Sequence, residues 1–346
     1  MHMADALLSP SIGAAFWAGT LAAIGYSAHK LKDRMDDKVV PLMGVLGAFI
    51  FAAQMINFTI PGTGSSGHIG GAMILAVLLG PSAAFLVMAS VLTVQAFFFA
   101  DGGLLALGAN IWNLGIFPCF IAYPLIYRRL AGNCGSSMRV LVAALVSVVI
   151  GLQLGSFFVV LQTLLSGRSE LPFGPFLMVM QPIHLAIGIV EGFVTAGVIN
   201  YVRHARPEIL DHGVVSLPPG PAVSVKKIAL VFLALAIVTG GALSWFASTH
   251  PDGLEWSMEK VLGFSQLPEK EQGTISSLKG MQEKTSILPD YGFRQSGTEE
   301  GRGQADASWP AVNAGTSVAG IIGAVMVLVF TLLIGLGIRV MRRRRV

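Results

Sequence analysis

Charge is what this sequence has least of. Of its 346 residues only 12% are Asp, Glu, Lys or Arg and 53% are hydrophobic, where a soluble domain carries about 25% charged residues. That composition belongs to a polytopic membrane protein. The small basic excess, +4, sits in short clusters between apolar runs, so no nucleic-acid partner is expected. Cysteine is nearly absent. Cys119 and Cys134 supply neither a disulfide framework nor a paired-cysteine metal spacing, and Cys119 lies in an apolar run as a small hydrophobe. There is no GxxxxGK[ST] loop, so the chain does not itself drive a process with a Walker-type ATPase. No HExxH pattern supports a zinc hydrolase. A cleavable signal peptide is not expected, because the first residues carry no Lys or Arg and the apolar run from Ile12 to Ala28 continues into a full span.

What the sequence has is hydrophobic length. A helix needs roughly 20 apolar residues to cross about 30 Å of hydrocarbon. Runs of that kind cover about Ser11 to Ser27, Val39 to Met55, Leu104 to Tyr127, Val140 to Leu164 and Pro175 to Tyr201. The stretch AMILAVLLGPSAAFLVMASVLTVQAFFFA is broken by Gly80-Pro81, giving a short half-depth helix followed by a full span. Lys30, Lys32 and Arg34, then Arg128-Arg129, then Arg203 and Arg206, all fall on one side of the segmentation. The positive-inside bias puts that side in the cytoplasm. The expected fold class is an all-α polytopic membrane protein of about nine transmembrane helices, one of them short or re-entrant, with the N-terminus outside and the C-terminus cytoplasmic. The expected location is the inner (cell) membrane, multi-pass.

Three segments are expected. Residues 1–205 form a membrane domain, and the Pro-containing stretch 206–227 is a cytoplasmic linker. Residues 228–346 hold two more spans, Ile228 to Phe246 and about Val318 to Ile338. Between those spans lies an outer segment, 248–314, with PDGLEWSMEK and a charged Gly/Ser-rich remainder without clear periodicity. It is expected to be partly disordered.

The opening string MHMADALLSP suggests a metal site. The Met1 amine, the deprotonated His2 amide and His2 Nδ1 can grip one ion through fused five- and six-membered rings. Three nitrogens in a plane suit Ni(II) or Cu(II) and leave one corner open. His68, in the Gly-rich segment QMINFTIPGTGSSGHIGG, is expected on the same side and is the candidate for that corner. Metal-bound imidazoles give their second N–H to an acceptor, and Asp5, Gln54, Asn57 and Gln95 are the candidates. Asn110 and Asn113 share a face of an inward span, either supporting the site or binding helices together. His184 and Glu191 lie two helical turns apart on one face, as an intramembrane relay or a structural pair. Ala14, Ala18 and Ala22 give the first span a small-residue stripe that can pack within the chain or against a partner.

MHMADALLSP, QMINFTIPGTGSSGHIGGAMILAVLLGP and ADGGLLALGANIWNLGI together resemble the CbiM/NikM family over about residues 1 to 205. Those are the substrate-capturing membrane subunits of energy-coupling-factor transporters for cobalt and nickel. The resemblance implies metal ligation by Met1, His2 and His68, with Ni2+ or Co2+ as transported substrate and no organic cofactor. It also implies a transmembrane coupling subunit and two ATPase subunits as partners. Ala6 departs from the family, which commonly has Gly after the acidic residue. The tail with PDGLE at Pro251 to Glu255 looks like the accessory component fused in the NikMN arrangement. On this basis the chain is expected to be a transport subunit and not an enzyme. Two alternatives are a self-contained proton-coupled permease using His184 and Glu191, and an intramembrane metallohydrolase dependent on Glu191.

Overall fold

The computed structural model describes residues 2–32, 39–132, 136–205, 225–265, 267, 273–294 and 310–343. Met1, Arg34, Cys134 and most of the expected linker lie outside the described residues. The chain is mainly helical. After a 3-10 turn at Asp5–Leu7 come α1 (Pro10–Lys32), α2 (Val39–Gln54), the strands β1 (Phe58–Ile60) and β2 (Ser65–Gly67), and α3 (Ala72–Leu79). Then follow α4 (Pro81–Phe99), α5 (Leu107–Ala131), α6 (Ser137–Ser166) and α7 (Phe173–Ala205). The C-terminal part holds α8 (Val225–Gly241), α9 (Gly253–Leu262), α10 (Thr274–Thr285) and α11 (Ala314–Arg343).

Among the described residues five helices, α4 to α7 and α11, are long and apolar enough to cross a membrane, and α2 and α8 are shorter apolar helices. The break at Gly80-Pro81 is as the sequence predicts. Gly80 takes φ 80 and ψ 162 between α3 and α4, a conformation only glycine adopts readily. Pro81 opens α4 at a position where its missing N–H costs nothing. The middle of α5, Trp112–Tyr127, is wound as a π-helix around Pro118 and Pro124. Each ring removes an N–H from the ladder, and the wider winding accommodates it.

One expectation is corrected. The architecture is not purely helical, because β1 and β2 pair antiparallel with Phe58 opposite Gly67 and Ile60 opposite Ser65. This hairpin satisfies the backbone of the Gly-rich segment without a helix. Within the segment 248–314 the described residues include α9 and α10. The signal was in the sequence: Asp252 accepts from the backbone N–H groups of Leu254 and Glu255, and the Glu255 carboxylate accepts from Asp252 N, a complete capping box.

Helix α4 is central, with 83% of its apolar window buried against 33% for α11. Helices α6 and α7 pair extensively, and α8 and α11 pack on each other and on α2. The α8/α11 crossing depends on glycine, because a Cβ at Gly320 would fall 2.3 Å from the Gly240 carbonyl oxygen. Close backbone approach of this kind is how helices gain van der Waals contact where burial from water contributes little. On α1 it is Gly13, Thr20 and Ser27 that turn inward. The Thr20 hydroxyl donates to Gly108 O, and Ala14, Ala18 and Ala22 stay uncovered.

Candidate metal-binding site

The N-terminal segment is not a frayed end. Met3 is fully buried, its N–H donates to Asn110 Oδ1 at 2.8 Å, and its carbonyl accepts from Asn110 Nδ2 at 3.2 Å. Its carbonyl also accepts from Gly103 N. One amide side chain thus holds both backbone polar groups of the residue next to His2. Asp5 accepts from Ala106 N at 3.0 Å and fixes the following turn to the start of α5. Asn113 does something different: it exchanges two amide hydrogen bonds with Gln162 of α6, at 2.7 and 3.0 Å. Asn110 therefore holds the Met3 backbone, while Asn113 mainly ties helices and touches the terminus only through a weak Nδ2–H contact to Met3 Sδ at 3.9 Å.

His68 follows β2 in the short link to α3. Its Nδ1 lies 3.1 Å from Ile69 O. A carbonyl only accepts, so Nδ1 carries the proton and Nε2 keeps the lone pair. The link is held from below by a carboxylate. Glu191 Oε2 accepts from Gly70 N and Oε1 from Gly71 N, both at 2.8 Å, at the N-terminal end of α3 where backbone donors lack helical partners. Gln54 Nε2 donates to Gly70 O, and Gln95 Nε2 donates to Gln54 Oε1.

The imidazoles of His2 and His68 meet with centroids 5.3 Å apart and planes inclined at 39°. They share the wall of a cavity of about 520 Å3 with Asp101, Asp252, Glu255 and Tyr291. His2 Nδ1–H donates to Asp101 Oδ1 at 2.6 Å, and Asp101 Oδ2 accepts from the Tyr291 hydroxyl at 2.6 Å. Among the described residues His2 Nε2 is buried with no hydrogen-bond partner.

The PDGLE motif forms one edge of this cavity. Ser66 N donates to Pro251 O at 2.8 Å, and Ser66 Oγ donates to His250 O at 2.7 Å. Trp256 Nε1 donates to Thr63 O at 3.0 Å. The motif therefore seats on the hairpin that leads to His68. Its glycine fits closely, since a Cβ at Gly253 would stand 3.1 Å from both His184 Cε1 and Ile187 Cδ1, which would have to give by a few tenths of an ångström.

Electrostatics follow the geometry. Burial, reinforced by positive charge at the N-terminus and then on His2, lowers His68 to about 4, so the ring is neutral at pH 7 and its Nε2 lone pair is open to a cation. Burial opposes ionisation of Asp101, yet the His2 charge and the hydrogen bonds from His2 and Tyr291 outweigh it and hold the carboxyl at about 2. Burial and the Asp101 charge push the Tyr291 phenol well up, so it stays protonated and donates. Burial, then the Asp252 charge, raises Glu255.

His2 and His68 thus come together, and Met1 lies outside the described residues. The expected acceptors of imidazole N–H do other work: Asp5 binds Ala106, Gln54 and Gln95 support Gly70, and Asn57 lines the cavity. The group on His2 is Asp101, a turn residue in ADGG. Its one available signal was being the sole carboxylate of that turn. His184 and Glu191, read from the sequence as either a relay or a structural pair, are each hydrogen-bonded to other groups. His184 Nδ1–H donates to Met180 O at 2.8 Å, while Glu191 is taken by Gly70 and Gly71. Both side chains face inward, but the nearest donors for the carboxylate are on the loop and not on its own helix.

Residues 2–209 match the family model for the cobalt uptake substrate-specific transmembrane region, CbiM, and residues 226–340 match the PDGLE domain. The putative fused nickel transport protein NikMN of Archaeoglobus fulgidus is 33% identical over 333 residues, covering 95% of this chain and 96% of the relative. The fused nickel transport protein NikMN of Rhodobacter capsulatus is 36% identical over 223 residues, covering 61% and 64%. The cobalt transport protein CbiM of Sorangium cellulosum is 32% identical over 235 residues, covering 64% and 99%. The crystal structure of a truncated transition metal transporter superposes with a TM-score of 0.51 at 33% identity, covering 59% of this chain and 99% of that one. The chain is a membrane protein of the CbiM family of nickel and cobalt transport proteins, with a PDGLE domain at its C-terminal end.

Proposed function

We propose that the chain captures a Ni2+ or Co2+ ion with the Met1 amine, the His2 amide and imidazole, and His68, and passes it on as the substrate-binding subunit of an energy-coupling-factor transporter. The observation that carries this reading is the approach of two imidazoles, distant in sequence, to 5.3 Å on one cavity wall. His68 contributes Nε2, because its Nδ1–H is engaged by Ile69 O. His2 contributes Nδ1, which here donates to Asp101. A half-turn about the His2 Cβ–Cγ bond puts Nδ1 where Cδ2 was and Nε2 where Cε1 was, beside the vacated Nδ1 position. Asp101 can then accept from Nε2–H while Nδ1 turns to the ion, a carboxylate–histidine–metal arrangement. The all-nitrogen set favours nickel over cobalt.

In this reading the site opens to the outer side of the cell membrane, with the N-terminus outside and the C-terminus in the cytoplasm. A transmembrane coupling subunit and two ATPase subunits drive release inward. The proton-coupled permease needs His184 and Glu191 to exchange a proton, and each is bonded to other groups. Nickel binding to the purified full-length chain, followed by the absorption of low-spin square-planar Ni(II), tests the proposal. His2→Ala and His68→Ala should each remove the band and lower affinity by at least 100-fold; binding unchanged by both substitutions overturns it.

A further inference from the structure

The C-terminal segment reaches the turn that carries Asp101 at several points. Gln282 Nε2 of α10 donates to Ala96 O and Gly102 O, both at 2.8 Å, on either side of Asp101. Leu288 N donates to Phe98 O. Tyr291, at the end of the same stretch, stacks on Phe99 with centroids 5.1 Å apart and planes at 18°, and lies 6.2 Å from Phe51. Its hydroxyl reaches Asp101 Oδ2 at 2.6 Å, and the other carboxylate oxygen holds His2.

A phenylalanine would satisfy the aromatic packing at this position. What tyrosine adds is the hydroxyl, and a buried hydroxyl needs a partner. That partner is a carboxylate, so the bond is charge-assisted and fixes the plane of Asp101. A clamped carboxylate offers the His2 ring one fixed acceptor, engaged by Nδ1–H here and by Nε2–H once the ring has turned to present Nδ1 to the ion. One left free to turn would hold the ring in no single orientation.

We propose that Tyr291 is a positioning residue for the metal site: it clamps Asp101, Asp101 orients the His2 imidazole, and the PDGLE-bearing segment thereby sets the affinity of the N-terminal segment for its ion. This rests on the capture reading above. It assigns the fused segment an effect on metal affinity that goes beyond docking.

The test is a double-mutant cycle on the full-length chain with Ni2+ as the probe. Groups that orient a metal ligand cost about 10-fold to 100-fold in affinity when removed, so Asp101→Asn should fall in that range. Tyr291→Phe, which keeps the stacking on Phe99, should weaken nickel binding about 5-fold to 20-fold, with the square-planar band unchanged in position and thermal unfolding within a few degrees of wild type. In the Asp101→Asn background Tyr291→Phe should change affinity less than twofold, because the hydroxyl's effect on the ion runs through the carboxylate and not through its contact with Gln95. A merely structural tyrosine would weaken both backgrounds equally. Tyr291→Phe binding within twofold of wild type, or effects that multiply, overturns the proposal. Failure of the wild-type chain to bind nickel overturns the capture reading instead. His2→Ala binding that equals wild type does so too.

Discussion

Removing the Glu191 carboxylate should unfasten His68. Glu191 is 3% exposed and accepts two backbone N–H groups at 2.8 Å, from Gly70 and Gly71, immediately after the ligand candidate. In Glu191→Ala both donors are left buried without that acceptor, at about 1 to 3 kcal/mol each and so about 2 to 6 kcal/mol in total. In Glu191→Gln one acceptor oxygen remains, while the NH2 group faces the second N–H, and the loss is about half as large. Part of that cost is avoided in the unbound protein if the loop unties, and ion binding must then reorder it, so apparent affinity falls with the ordered fraction. At about 1.4 kcal/mol per tenfold change, Glu191→Gln should weaken nickel binding by roughly 10-fold to 100-fold. Calorimetric titration of the purified chain, with circular dichroism to confirm retained helix, reads the effect. Glu191→Gln with affinity within twofold of wild type would refute the claim that this carboxylate holds the loop. A proton-relay role for Glu191 makes a different forecast, in which binding is retained and only turnover is lost.

Asn110→Ala should release the Met3 backbone and lower nickel affinity by about tenfold or more without lowering thermal stability by more than a few degrees, whereas Asn113→Ala, which breaks the amide pair with Gln162 and only a weak contact to the Met3 sulfur, should cost more stability and less affinity. Gly253→Val should unseat α9 from the hairpin, because its side chain meets His184 and Ile187; limited proteolysis near the PDGLE motif would then be faster than in wild type, at a cost of about 1 to 3 kcal/mol. Asp101 is held at about 2, below its ordinary value of 3.8, so its ionised form adds stability that is present above pH 4 and lost as pH falls toward 2. Comparing thermal unfolding of wild type and Asp101→Asn at pH 6 and pH 3 should show a gap of about 2 kcal/mol that narrows on acidification.

The helical scaffold was legible in the sequence because hydrophobic runs of spanning length and a Gly-Pro break leave little choice of element. The C-terminal helix α11, long and apolar enough to cross a membrane, was found for the same reason, and α8 as a shorter apolar helix. The hairpin was missed because FTI and SSG are each only three residues long, too short for an alternating pattern to register. Helix α9 was overlooked although Asp252 and Glu255 spell a capping box, since the polar composition around it weighed against order. At the candidate site, His2 and His68 stand out by type and spacing. Asp101 and Tyr291 do not: their role comes from the fold bringing a turn before α5 against a stretch some 190 residues later, which no local pattern encodes. That His184 and Glu191 bond to separate groups was not legible either, because sharing a helix face says nothing of what packs opposite.

The central claim is that the terminal amine and the two imidazoles hold one ion together. Adding a single glycine before Met1 keeps every side chain and displaces only the amine. With the full-length protein titrated with Ni2+, the account predicts that this addition abolishes the square-planar Ni(II) absorption and weakens binding at least 100-fold, while unfolding temperature is unchanged. An extended chain that binds nickel with wild-type affinity and the wild-type spectrum would contradict it.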